Sequence, residues 1–281
     1  MTISIPQISN IIYPRILNSH SKALTKLQTD YSKGQTTVQR GQILEKNGTV
    51  FNRHSTDMFR DDINWHFFAK YLNSRYRDDK NVNIYIHACS DGSEAYSMAI
   101  LCDKYFPKTK KIIAKDISAD VIRQNQLRQN RAARTTNRVD KSAQDALDLK
   151  NEELDKYFSY SCDTNGNKYI EIRPYVKNMV KFEQANILDD LSSIEQNSPA
   201  IIMCRNMWPY VNPDEYRGFV KNLHTVLPGK SIVVIGNYDY TGEIGKNRSD
   251  TFPRILQTYF TPAKENIGNF QLSQNLIFEK N

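Results

Sequence analysis

A doubly wound α/β sheet, with a small β-hairpin subdomain and a short N-terminal extension, is the fold this sequence predicts. Two observations point to it. From residue 81 onward, short β-rich apolar runs alternate with amphipathic stretches of helical length, the pattern of parallel strands joined by crossover helices. Several of those runs also end on polar side chains, and the carboxyl ends of strands are where such sheets bind ligands. The chain has 281 residues, 25% charged and 11% aromatic, which suits one large α/β domain with an appendage and excludes a disordered or collagen-like protein.

The elements follow in order. Residues 1–50 are polar and broken by Gly34, Gly41 and Gly48, with a short helix expected around Ser21–Tyr31. Trp65, Phe67, Phe68, Tyr71, Leu72 and Tyr76 recur at helical spacing within 61–78, with acids in the first turn. Residues 81–89 (NVNIYIHAC) read as a buried strand, 94–106 as a helix, 111–117 as a second strand and 118–129 as a second helix. Within 154–176 an Asp-Thr-Asn-Gly turn separates two β-like runs and predicts a hairpin. VKFEQANIL (180–188) and AIIMCRN (200–206) read as strands. Asn212 as N-cap, Pro213 at N1, Glu215 at N3 and Gly229 as terminator frame the clearest helix, whose apolar face includes Tyr216, Phe219, Val220 and Leu223. SIVVIGNY (231–238) is one more buried strand, and residues 267–281 read as a closing hairpin.

Composition narrows the function. No apolar run approaches the roughly 18 residues of a membrane span, and the N-terminus has no secretory pattern, so a cytoplasmic protein without membrane insertion is expected. Cys89, Cys102, Cys162 and Cys204 are scattered, the five histidines lie far apart, and no metal site is expected. The net charge is +7, and residues 1–60 hold eight Lys/Arg against three Asp/Glu. A second basic stretch carries Arg123, Arg128, Arg131, Arg134 and Arg138, the last four near one helical face. Such a field attracts an acidic protein surface or a phosphate backbone, or is a solvated helix face.

The strand ends hold the candidate chemistry. The first strand runs into Ala88-Cys89-Ser90-Asp91-Gly92-Ser93-Glu94, a small-residue turn opening a helix. Glu94 there suits the ammonium of an amino-acid-like ligand, or closes a capping box with Asp91 as N-cap. Asp116 ends the second strand 24 residues after Gly92, where an acid accepts from ribose hydroxyls or caps the next helix near Ser118. Asn186 and the pair Arg205-Asn206 end two further strands, and together these ends suggest a nucleoside pocket.

At this point a resemblance becomes specific. ACSDGSEAYSMA (88–99) resembles the ACSTGEEPYSLA-type motif of the CheR family of chemotaxis-receptor glutamate methyltransferases. STDMFRD (55–61), AKDIS (114–118), FEQANIL (182–188) and MCRNMWPYVNPDEY (203–216), followed by VLPGKSIVVIG, are similar to further family blocks in the same order. The resemblance implies a Rossmann-like methyltransferase sheet over 55–281 with a β-subdomain insert around 154–178, and residues 1–54 as a basic extension. It implies S-adenosylmethionine as cofactor, lined by Thr56, Arg60, Glu94, Asp116, Asn186, Ile187, Arg205 and Asn206, with Arg60 and Tyr210 at the reacting centre. The implied reaction is methyl-ester formation on a glutamate carboxylate of an acidic signalling protein, chemoreceptor-like; separately, a monomer is expected. Nucleic acid is a less favoured acceptor. A methyltransferase of RNA or of a small molecule, or a cofactor-binding sensor impaired in catalysis, are the alternatives. The family's usual helical N-terminal domain is not matched here, and Asp91, Ser93, Ala95 and Lys230 depart from its motifs.

Overall fold

The computed structural model describes residues 42–44, 50–52, 57–128, 139–162, 164, 168–240, 251–264, 268 and 275–280. The chain divides into two compact units, residues 1–53 and 54–281. In the first, β1 (Gln42–Leu44) pairs antiparallel with β2 (Val50–Asn52). The helix expected at 21–31 and the arginine face at 128–138 lie outside the described residues and side chains.

The second unit opens with α1 (Trp65–Arg75), β3 (Val82–His87), α2 (Ser93–Tyr105), β4 (Thr109–Asp116) and α3 (Ala119–Arg128). Then come α4 (Val139–Leu147), α5 (Asn151–Tyr157), β5 (Phe158–Cys162), β6 (Lys168–Ile172), α6 (Pro174–Lys177) and β7 (Val180–Gln184). β8 (Ala200–Met203), α7 (Pro213–Val226), β9 (Ile232–Val234), α8 (Phe252–Leu256), β10 (Thr261–Pro262) and β11 (Ile277–Glu279) complete it. Short 3-10 turns at Asp190–Ser193, Trp208–Tyr210 and Asn237–Tyr240 follow β7, β8 and β9.

Seven strands form the main sheet in the order β10-β11-β9-β8-β3-β4-β7. β7, β4, β3, β8 and β9 are parallel, while β11 runs antiparallel to both β9 and β10. The chain steps outward from β3 to β4 and β7, then crosses back to β8 and outward to β9. The order therefore reverses between β3 and β8, where Tyr85 stands opposite Ile113 on one side and Ile202 on the other. All six residues of β3 are buried, as expected of a strand covered on both faces. β5 and β6 form the predicted hairpin as a separate two-stranded sheet. After β8, Trp208 stacks on Phe252 with centroids 3.5 Å apart and planes 6° from parallel.

Several expectations need correction. Of residues 267–281, read as a closing hairpin, the described part contributes a single strand: β11 inserts between β9 and β10, so it completes the main sheet. β7 and β9 are shorter than the apolar runs suggest, stopping at Gln184 and Val234, although the Ala185 and Ile235 N–H groups still donate to the Asp116 and Leu276 carbonyls. α7 starts as read, with Asn212 accepting from the Asp214 N–H at 3.1 Å, but it ends at Val226 with Leu227 extended, ahead of Gly229. α1 starts after Asn64, whose side chain accepts from the Phe67 N–H at 3.0 Å, and its first turn holds no acid. The acid Asp62 goes elsewhere, with consequences for the site. Among the described residues, no helix is long and apolar enough to cross a membrane.

Candidate active site

The loop after β3 is wound tightly. Ala88 (φ 55°), Ser90 (φ 49°) and Gly92 (φ 84°) are all left-handed. Gly92 has no alternative, because a Cβ there would lie 2.8 Å from Phe182 Cζ. β4 and α3 hold the loop: Asp116 accepts the Ser90 N–H at 3.0 Å, and buried Asn125 donates to the Ser90 carbonyl at 2.6 Å. Asp116 also accepts the Ser118 N–H at 3.0 Å, while the cap of α3 is Ser118, whose Oγ accepts the Val121 N–H at 3.4 Å. Each of the Asp116 oxygens then retains acceptor capacity.

Glu94 makes no capping box. Gly92 is the N-cap of α2 and offers no side chain, while Asp91 accepts from the Ser93 N–H at 2.9 Å. The Glu94 carboxylate instead accepts from Arg205 Nη1 at 2.5 Å. Arg205 Nη2 donates to Asp62, whose other oxygen accepts from Asn206 Nδ2 at 3.3 Å. The Trp65 ring lies 5.8 Å from the guanidinium. The Arg205 side chain is 1% exposed, and an unpaired charge at that depth is far more costly than an uncapped helix N–H. Burial works against the Arg205 charge, but Glu94 and Asp62 outweigh it and raise the pKa. Burial pushes the Glu94 carboxyl up, against the pull of Arg205; Arg60 stands near enough to oppose that rise as well.

A second buried carboxylate supports the turn after β8. Asp239 accepts backbone N–H groups from Asn206 at 2.7 Å, Gly236 at 2.8 Å and Trp208 at 3.1 Å. Asn206 is left-handed (φ 59°), and its side-chain oxygen accepts the Tyr238 N–H at 3.0 Å. Tyr210 lies beside Tyr238, with ring centroids 5.9 Å apart.

Glu94 and Arg205 are thus joined directly and Asn206 through Asp62, and the charge of Arg60 acts on Glu94. Asp116 reaches them through the β3–α2 loop. Asn186 turns into its own loop, accepting the Leu188 N–H and donating to Asp189, and the Ile187 side chain is buried in the core. Thr56 lies outside the described residues. Asp62, Asn125, Gly236 and Asp239 belong to the site architecture and were not singled out from sequence. An open cleft of about 780 Å³, bordered by Thr109, Lys110, Lys111, Asn178 and Lys181, lies at the amino end of β4 and holds none of these residues.

The chemistry of these groups fits a nucleoside carrying a cationic amino acid. Ser90 Oγ and Arg205 Nε are buried without a partner within the protein, and Ile117, next to Asp116, is 51% exposed at a strand end.

A central reversal and a parallel sheet interrupted by one antiparallel strand, β11, next to the edge strand β10, define a Rossmann-like methyltransferase domain. The chain belongs to the CheR methyltransferase family: the family model for its SAM-binding domain matches residues 54–249. S-adenosylmethionine is the cofactor of that domain. The chain is similar to a chemotaxis protein methyltransferase of Campylobacter jejuni, 29% identical over 177 residues, covering 63% of this chain and 59% of the relative. It is also similar to chemotaxis protein methyltransferase 2 of Vibrio cholerae, 25% identical over 194 residues, covering 68% and 62%. The chain thus matches about three-fifths of the length of these curated relatives. Among solved structures, the N-methyltransferase NodS of Bradyrhizobium japonicum with S-adenosyl-L-homocysteine is 12% identical, with a TM-score of 0.40, covering 78% of this chain and 89% of that one.

Proposed function

We propose that this protein is a cytoplasmic methyltransferase that esterifies glutamate side chains of a chemoreceptor-like signalling protein. One observation carries the reading: in a chain of the CheR family, Arg205 bridges Glu94 and Asp62 at the carboxyl end of a parallel sheet, where the charge of Arg60 also acts on Glu94. S-adenosylmethionine supplies a methyl group made electrophilic by its sulfonium. Glu94 would hold the ammonium of that cofactor and Asp116 its ribose hydroxyls, with Asn186, Ile187, Arg205, Asn206 and Thr56 completing the lining. The acceptor needs no general base, because a glutamate side chain with a pKa of about 4.3 is already ionised near neutral pH. The task left to the protein is alignment of one carboxylate oxygen with the methyl carbon, at about 3–3.5 Å and in line. Arg60 clamps that carboxylate through charge-assisted hydrogen bonds, and Tyr210 orients it.

The test is transfer of label from methyl-labelled S-adenosylmethionine to candidate acceptors, followed by mild base. Volatile labelled methanol released from protein is the expected result. Base-stable label in RNA or a small molecule, or cofactor binding with no transfer to chemoreceptors, would overturn the reading.

A further inference from the structure

Asp239 joins two strand ends through backbone alone. Its Oδ2 takes the N–H of Asn206, in the turn after β8, and of Gly236, in the turn after β9; its Oδ1 takes the N–H of Trp208. The carboxylate is 1% exposed. The left-handed conformation of Asn206 (φ 59°) is one that Asn tolerates better than other non-glycine residues, and here the bond from its N–H to Asp239 fixes it. In that conformation the Asn206 side chain spans from Asp62 to the Tyr238 N–H, with no room for a Cβ at Gly236. We propose that Asp239 is a positioning residue for the cofactor pocket, holding the Arg205–Asn206 turn in its ligand-binding form when ionised and loosening it when protonated. The inference rests on the reading that Arg205 and Asn206 line that pocket.

The electrostatics place this switch in an accessible range. Burial raises the Asp239 pKa to about 7, against the pull of the three N–H groups and of Arg205. The other titratable groups that sense it are the Cys204 thiol, pushed well up by burial, and the Tyr240 phenol, pushed up to about 12. Both stay neutral between pH 6 and 8, so Arg205 is the permanent charge facing the carboxylate. Protonation converts one acceptor oxygen into a hydroxyl donor opposite N–H groups that are themselves donors. Affinity for S-adenosylhomocysteine therefore rises with pH through this range.

Calorimetric titration of the full chain with S-adenosylhomocysteine, at several values from pH 6 to 8, tests the proposal. The wild-type protein is expected to bind about tenfold more tightly at pH 8 than at pH 6. Asp239→Asn, whose amide must aim an N–H at a backbone donor, is expected to bind about tenfold more weakly at pH 8 and to lose the pH step. A wild-type affinity that is flat across the range, or an Asp239→Asn protein with the wild-type affinity and profile, overturns the inference while leaving the cofactor reading intact. Failure of the wild-type protein to bind at all removes both. If Asp239→Asn does not fold, the wild-type protein labelled with 13C at aspartate carboxyls decides. A carboxyl signal titrating with the midpoint of the affinity step supports the role, and a step with no such signal overturns it.

Discussion

The Asp62 carboxylate, just ahead of helix α1, is bonded to the guanidinium of Arg205, a residue 143 positions further along the chain. This contact ties the segment carrying Arg60 to the strand end carrying Arg205 and Asn206. It also gives the buried guanidinium a second counter-charge beside Glu94. Replacing Asp62 by Ala leaves Arg205 with one carboxylate at a depth where unpaired charge is costly. The expected loss is roughly 2–4 kcal/mol of stability, read as a lower denaturant midpoint. Glu94→Gln, which keeps shape and one acceptor, should cost less stability and weaken S-adenosylhomocysteine binding more. Equal effects of the two substitutions on both readouts would contradict this division of labour.

Arg60 is assigned to the acceptor rather than to the fold. Arg60→Ala is expected to lower methyl transfer about 100-fold or more while leaving S-adenosylhomocysteine affinity within a few-fold. Arg60→Lys should recover only a part, because a point charge cannot grip both carboxylate oxygens as a planar fork does. Steady-state transfer rates together with a binding titration check this. Wild-type turnover in the Arg60→Ala protein would remove the assigned role.

Gly236 faces Asn206 so closely that a Cβ would fall 2.1 Å from its Oδ1. Gly236→Ala therefore forces the Asn206 side chain off its bonds to Asp62 and to the Tyr238 N–H. Two lost hydrogen bonds at the turn predict S-adenosylhomocysteine binding weakened about tenfold or more. A crystal structure of the variant should show Asn206 displaced. Unchanged affinity with Asn206 in place would show that the packing is looser than it stands.

The sheet was legible because alternation of strand and helix is written in periodicity, residue by residue, from Val82 to Val234. The C-terminal strand was not. Its pairing with β9 joins Phe278 to Val233 across 45 positions, and only the finished sheet offers that edge. Among site residues, Glu94 and Asp116 could be found because each sits at a strand end in a recognisable turn. Glu94 fitted a capping box equally well on paper; the buried charge of Arg205 decided between the two, and that charge arrives from 111 positions away. Asp62 resembled an ordinary acid before a helix, and Asp239 an ordinary turn aspartate. Their roles depend on burial, which local spacing does not encode. The one available hint for Asp239 was an acid three residues after a glycine that closes a buried strand.

His87, at the end of β3, should make the protein sensitive to acid. Its Nδ1 is buried without a partner, and burial lowers its pKa to about 4, with Lys115 adding to the effect and Asp190 opposing it. In the unfolded chain the ring returns to about 6.5, so between those values the unfolded state binds the extra proton. Stability from this group is complete above about pH 6.5 and is lost progressively as the pH falls toward 4. Asp239 acts in the opposite sense over much of the same window, because its folded pKa is raised and its folded state holds the proton longer. The net slope of the wild-type protein thus understates the histidine. A His87→Gln variant isolates it: whatever the substitution costs at pH 8, its stability relative to wild type should improve on the order of 2 kcal/mol by pH 5. Denaturant unfolding of both proteins at the two pH values gives that difference directly. A stability difference independent of pH would mean that His87 is protonated in the folded protein, and that the pocket around it admits a partner for the charge.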